Sequence, residues 1–227
     1  MAEQVASIRN KRPIYQTSKG EKVPGVTSVL SLRAKPNLVE WAFKLGKENP
    51  HLNSTRDYVD DLANIGKCAH ALIEVYLTGK PQDMGDFTPR TREAAAVPFS
   101  KFMDWTKGKT IKVIACERVV ISDRHRYGGT LDVLADIDGV RTVLDFKTGK
   151  AIYPEMFLQL AAYAEAVKEQ GERVDAIRIL QIGRVGDEGF SERVMTEWSN
   201  QFNAFLALRT LYEIEKCMAS NTKWSPS

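Results

Sequence analysis

The chain has 227 residues, with 32 Lys and Arg against 29 Asp and Glu and a formal net charge of +3. At about 100–200 residues per domain this is one generous domain, or one domain with an arm; 43% hydrophobic and 27% charged residues exclude a disordered or fibrous chain. So small a net charge excludes a protein that coats a polyanion over its whole surface, yet permits a local basic groove.

Residues 1–50 read as an arm. Two short strands around Ile14-Tyr15 and Val23 are joined through Ser18-Lys19-Gly20, one helical segment starts near Val26-Thr27-Ser28, and another runs from Pro36 to Lys47. Leu62, Ile65, Ala69, Leu72 and Tyr76 recur at steps of three and four and predict an amphipathic helix over 56–78. Thr78-Gly79-Lys80-Pro81 ends it, and 79–90 is a loop. A helix over 91–107 precedes strands at Ile111–Ile121, Thr130–Ile137 and Val140–Lys147. Pro154 opens a helix to Gln170; strands at Val174–Gly183 and 190–196 and a helix over 197–219 follow. The order predicts an α/β (or α+β) fold with one central sheet. The tail 220–227 reads as loose.

Asp138-Gly139 is a two-residue hairpin signal. With those residues as the loop, Ile137 faces Val140, partner numbers sum to 277, and Asp132 falls opposite Asp145. Alternation puts Leu131, Val133, Ala135, Ile137, Val140, Thr142, Leu144 and Phe146 on a core face. The other face carries Thr130, Asp132, Leu134, Asp136, Arg141, Val143, Asp145 and Lys147. Asp136 and Arg141 form a rim ion pair, but facing aspartates repel. A cation belongs between them, either Lys147 or a divalent ion. Asp136-Ile-Asp138-Gly139 is no calcium loop, since Leu134 takes the first ligand position, and Lys147-Thr148-Gly149-Lys150 lacks the first glycine of a phosphate loop.

Cys68, Cys116 and Cys217 are scattered and odd in number, which excludes a zinc ribbon or disulfide scaffold and reads as reduced, mostly buried thiols. Three histidines, His51, His70 and His125, are too few for a multi-histidine zinc site. Any metal is therefore held largely by carboxylates, which points to Mg²⁺ or Mn²⁺. No apolar run approaches the roughly 18–20 residues that span a bilayer, and MAEQVASIRNKRP holds no secretory signal. The expectation is a cytoplasmic, intracellular protein with no membrane partner.

Gly129-Thr-Leu-Asp132 followed by Leu144-Asp145-Phe146-Lys147-Thr148-Gly149 resembles motifs II and III of the PD-(D/E)XK nuclease superfamily. Gln159-Leu-Ala-Ala-Tyr163 resembles the QxxxY motif of its RecB-like branch. The stretch from Gly66 through His70 and Glu74 to Leu77 resembles that branch's histidine-bearing helix. Pro24-Gly-Val-Thr-Ser-Val-Leu30 with Leu38-Val-Glu-Trp41-Ala is similar to the start of phage exonucleases and of the mitochondrial genome maintenance exonuclease. The likeness spans residues 13–215.

The resemblance implies a restriction-endonuclease-like core over 51–219, a central mixed sheet flanked by helices, with the arm at 1–50 helping to bind substrate. It implies that His70, Asp132, Asp145 and the backbone carbonyl of Phe146 hold Mg²⁺ or Mn²⁺, with Asp132, Asp145 and Lys147 catalytic. Lys147 would position or deprotonate the attacking water, or stabilise charge on the phosphate. Gln159 and Tyr163 share a helix face and would touch substrate or position the lysine. Iron–sulfur members use four cysteines, so no iron–sulfur cluster is expected. Glu117 is either an additional or supporting carboxylate or a solvated strand residue, and Glu74 stands in the same position.

Arg124 and Arg126, with His125, precede Tyr127-Gly128-Gly129 in a loop expected at the mouth of the site, where they would meet phosphates. Trp41, Phe43 and Tyr58 are either core or stacking surfaces for unpaired bases. The implied activity is a metal-dependent DNA exonuclease acting on ends or single strands, in DNA repair or recombination, with recombination or replication partners. The rivals are a structure-specific endonuclease and a non-catalytic DNA-binding module.

Overall fold

In a computed structural model, which describes residues 13–33, 36–48, 54–185 and 188–221, the chain turns at Asp138-Gly139. Both residues have positive φ, 52° and 85°, as a type I′ hairpin requires. This turn joins strands β4 (Tyr127–Ile137) and β5 (Val140–Lys147) in the predicted register, from Ile137↔Val140 to Val133↔Leu144. Strand β3 (Ile111–Ser122) completes the antiparallel meander on the other side of β4. From β5 the chain crosses through helix α5 (Pro154–Glu169) to β6 (Ala176–Ile182), parallel to β5, and β7 (Phe190–Met195) pairs antiparallel with β6. The result is a five-stranded mixed sheet in the order β3-β4-β5-β6-β7, flanked by helices. The expected fold class is the observed one.

Both faces of this sheet are buried. On one side α5, α1 (Val26–Leu30) and α6 (Ser199–Asn221) pack on Val120, Leu131, Leu134, Val143, Ile177 and Ile179. On the other, α3 (Thr55–Thr78) and α4 (Pro89–Thr106) supply Ile73, Phe102 and Trp105 to Val133, Ala135, Ile137, Leu144, Phe146, Leu180 and Ile182. The placement of Leu134 and Val143 off the core face is therefore corrected. A parallel crossover lays its helix over their face, which strand alternation in a lone hairpin does not reveal. Leu131 also belongs with Leu134 rather than with Val133, because alternation breaks between them.

The arm is built into the first of these cores. Strands β1 (Tyr15–Gln16) and β2 (Lys22–Val23) form the expected hairpin, and Val26, Val29 and Leu30 of α1 are buried under α5 and α6. Gly25 bridges to Gly128, and a Cβ on Gly128 would lie 2.6 Å from Tyr15. Strand β4 thus begins at Tyr127, three residues before the expected Thr130. Helix α2 (Pro36–Glu48) follows α1, and α6 runs through Asn221, so residues 222–227 of the expected loose tail, like 1–12, lie outside the described residues. Cys68 is buried, Cys116 partly so, and Cys217 is exposed. None of the described helices is long and apolar enough to cross a membrane.

Candidate metal centre

The site begins where two strands part. The β4–β5 ladder stops at Val133↔Leu144, so the expected Asp132–Asp145 ladder pair does not form. Asp132 Oδ2 instead accepts the Phe146 N–H at 2.9 Å, a side chain taking the place of a strand. Beyond this point, among the described strands, β5 pairs with β6 only, through Asp145↔Ile179, Phe146↔Leu180 and Lys147↔Gln181. A strand residue turns its N–H and C=O to the same side, so the Phe146 carbonyl also faces the gap. It meets His70 Nε2 at 3.1 Å, while His70 Nδ1 lies 3.5 Å from Asp132 Oδ2.

Across β4, Glu117 of β3 occupies the position opposite Asp132, between the pairs Cys116↔Val133 and Arg118↔Leu131. Its φ is +47°, a left-handed conformation that costs a non-glycine residue on the order of 1–3 kcal/mol. The strand consequently swaps faces there. Cys116 packs toward the α3–α4 core, whereas Arg118, two residues on, reaches Glu172 at 2.7 Å. This twist delivers Glu117 to the cleft, where its carboxylate, one from Asp132 and the His70 ring offer ligand atoms within 4.8 Å of one another. Glu74, on the His70 helix, stays outside that trio but adds its charge to the field. Loss of water, then the facing charges of Asp132, Glu74 and Asp145, push the Glu117 carboxyl up to about 7.

That shift has a sign. Glu117 holds its proton more tightly folded than unfolded, so its contribution favours folding at low pH and is lost as pH rises from 4.5 to about 7. In the metal-free protein, the melting temperature of wild type relative to Glu117→Gln is expected to fall between about pH 5 and about pH 8. A constant or rising difference would refute it.

Beside the trio, Asp145 is 1% exposed and is held by Lys147, whose Nζ lies 3.0 Å from Oδ1 and 2.7 Å from Oδ2. The second oxygen lies off the hydrogen-bond direction and accepts no hydrogen bond among the described residues. Burial raises the Asp145 carboxyl to about 6, against the pull of Lys147 and with the push of Asp132. For Lys147, burial works to lower the pKa, but Asp145 and Asp132 outweigh it and hold the ammonium above its ordinary value. Lys147 Nζ also donates to Gln159 Oε1 at 3.1 Å, and Gln159 Nε2 donates to Tyr163 Oη at 3.0 Å. Both α5 residues are thus tied to the lysine.

Two glycines set the distances. A Cβ at Gly66 would lie 2.8 Å from Thr148 Oγ1, so α3 approaches the end of β5 closely. A Cβ at Gly129 would lie 2.3 Å from Tyr163 Cε1. Gly129→Ala must push the ring away, and we expect a loss of about 1–3 kcal/mol in urea unfolding, the usual range for overpacking. A variant as stable as wild type would mean that the ring moves freely.

Other expected site residues lie elsewhere. Arg124 and Arg126 do not sit at the mouth of this cleft. Their turn packs against the far end of α5, where the Arg124 N–H donates to Glu169 and Arg126 pairs with Glu21. The helix rise from Gln159 to Glu169 is about 15 Å. The ring of Trp41 lies 6.4 Å from that of Tyr58, and Phe43 is 75% exposed. Tyr15, read from the sequence only as a strand residue, brings its hydroxyl to Thr130 Oγ1 at 3.2 Å. The Gly128-Gly129 pair was the available signal, since paired glycines in a strand mark a close approach.

The donor set tests well for a hard divalent ion. One imidazole, carboxylates and a main-chain carbonyl surround the parted strands, and Asp145 offers an oxygen that accepts no hydrogen bond among the described residues. Oxygen-rich sets of this kind suit Mg²⁺ or Mn²⁺. No family model and no curated protein sequence matches the chain. Among solved structures, a candidate exonuclease from Eubacterium rectale is similar at 13% identity and a TM-score of 0.47, over 80% of this chain and 74% of that one. The protein SSO0001 is similar at 11% identity and a TM-score of 0.34, over 82% and 87%.

Proposed function

We propose that this chain is a divalent-metal-dependent phosphodiester hydrolase acting on DNA, an exonuclease that works on ends or single strands. The observation that carries the reading is the convergence, at the β4–β5 gap, of His70, Glu117, Asp132 and the Phe146 carbonyl, with the Asp145–Lys147 pair alongside. In it, His70, Asp132, Asp145 and the Phe146 carbonyl hold Mg²⁺ or Mn²⁺, and Glu117 joins them. When bound, such an ion lowers the pKa of its water and neutralises charge on the scissile phosphate.

The chain's own groups do the rest. Lys147 stays protonated and hydrogen-bonds through Nζ to the attacking water, which it positions, or to a phosphate oxygen, whose charge it stabilises. Gln159, fixed by Tyr163, keeps that ammonium aimed. Asp145 keeps it charged despite burial. A module that only bound DNA would gain nothing from opposed carboxylates, which repel phosphate. The test is hydrolysis of labelled linear single-stranded, linear double-stranded and circular single-stranded DNA with Mg²⁺, Mn²⁺ or EDTA. The expected result is metal-dependent cleavage of a linear substrate, lost in Asp145→Ala, with the circle intact. Cleavage of the circle would make it an endonuclease, and equal activity of wild type and Asp145→Ala would place the chemistry elsewhere.

A further inference from the structure

The geometry points to Lys67 and Lys150 as a phosphate clamp that straddles the metal centre and fixes the path of a DNA strand. This rests on the phosphodiester-hydrolase reading and deepens it by naming the substrate contacts. Lys67 lies three residues before His70 on α3, so the two share a helix face about one turn apart. On that face His70 falls between Gly66, which packs on Thr148, and Lys67. Lys150 follows Thr148 by two residues in the segment that leaves β5 for α5. One lysine therefore flanks His70 on the open side of α3, and the other lies two residues beyond the Thr148 that Gly66 packs against, in the segment leaving β5.

Their chemical state is as telling as their place. Both are exposed, and neither side chain makes a hydrogen bond or an ion pair among the described residues. Many cations of this chain are spent internally: Arg118 on Glu172, Arg141 on Asp136, Arg178 on Glu192 and Lys101 on the carbonyls of Gly183, Val185 and Gly189. Two uncommitted ammonium groups beside a carboxylate cluster are thus available to a ligand. That ligand must carry several negative charges in a line, since it has to reach both lysines while passing over the cluster. The phosphate backbone of a nucleic-acid strand meets this, and contacts to it position without reading sequence. The basic turn at Arg124 and Arg126, first expected to do this work, is at the wrong end of α5.

The test is fluorescence anisotropy of a labelled single-stranded oligonucleotide across a salt series, with Ca²⁺ replacing Mg²⁺ so that the carboxylates are neutralised. Each of Lys67→Ala and Lys150→Ala is expected to weaken binding and to lower the slope of log K against log salt by about 0.7, the share of one phosphate contact on a single strand. The double variant loses about twice that, equally for unrelated sequences, while Lys67→Arg keeps the wild-type slope. Lys80→Ala, an exposed lysine beyond the end of α3, serves as control and changes nothing. A double variant with wild-type slope and affinity overturns the clamp, as does an acidic peptide that displaces the oligonucleotide at equal concentration. If wild type cleaves DNA while the clamp fails, the hydrolase reading stands alone; if wild type neither binds nor cleaves DNA, both fall.

Discussion

Lys147→Met is expected to lower metal-dependent DNA hydrolysis by about 10²–10⁴-fold, the range for losing a positioned proton donor. The same change should also cost stability, because Asp145 is 1% exposed and Lys147 is its counter-charge. Removing one member of a buried pair leaves an uncompensated charge, at about 3–5 kcal/mol. Two effects from one substitution would be ambiguous, and a second variant separates them. In Lys147→Arg the counter-charge to Asp145 is kept, so folding recovers, while hydrolysis stays low because a guanidinium cannot take the place of the compact ammonium. Urea unfolding and a single-turnover assay on the three proteins decide the matter. If activity returns with stability, Lys147 has only a structural role.

Asp132→Asn is expected to produce the opposite pairing of effects. The asparagine carbonyl still accepts the Phe146 N–H, so the parted strands keep their geometry. What disappears is a negative charge beside Glu117 and Asp145, both of which Asp132 pushes toward the protonated state. The metal-free variant should therefore melt at or above the wild-type temperature at neutral pH. Its affinity for Mn²⁺, read by calorimetry, should fall by more than the about 10–100-fold typical of a residue that merely orients a ligand, and hydrolysis should fall with it. Stability gained where function is lost marks a residue kept for chemistry at the expense of folding. Unchanged Mn²⁺ affinity would remove Asp132 from the metal centre.

Much of this arrangement is readable in the residues. The Asp138-Gly139 turn fixed the β4–β5 register, and the three- and four-residue spacing from Leu62 to Tyr76 placed His70 on a helix whose Gly66 faces a neighbour. Those signals are local, each set by a turn or a helical period. What escaped depends on distant parts of the chain or on one unusual torsion. Alternation left Leu134 and Val143 off the core face because nothing within the hairpin announces that α5 will cross over them. No side chain reveals that Glu117 will adopt a positive φ, so the face swap that carries it to Asp132 and His70 was invisible. The basic turn was misplaced for a similar reason. Closeness to Asp132 along β4 is not closeness in space when the strand runs away from the gap.

Phe146 illustrates a different kind of address in the genetic code. Its ring is 3% exposed and packs edge-on against His70 and Phe102, while its N–H and C=O are the groups turned into the cleft. No codon change can delete either group except one to proline, which removes the N–H alone. Alanine scanning at this position would report only lost packing and would overlook the main-chain role. An ester in place of the peptide group, introduced by semisynthesis, is the substitution that would expose it. Proline apart, selection at this position can therefore act on the bulk of the ring alone, leaving the main-chain groups in the cleft beyond the reach of ordinary mutation.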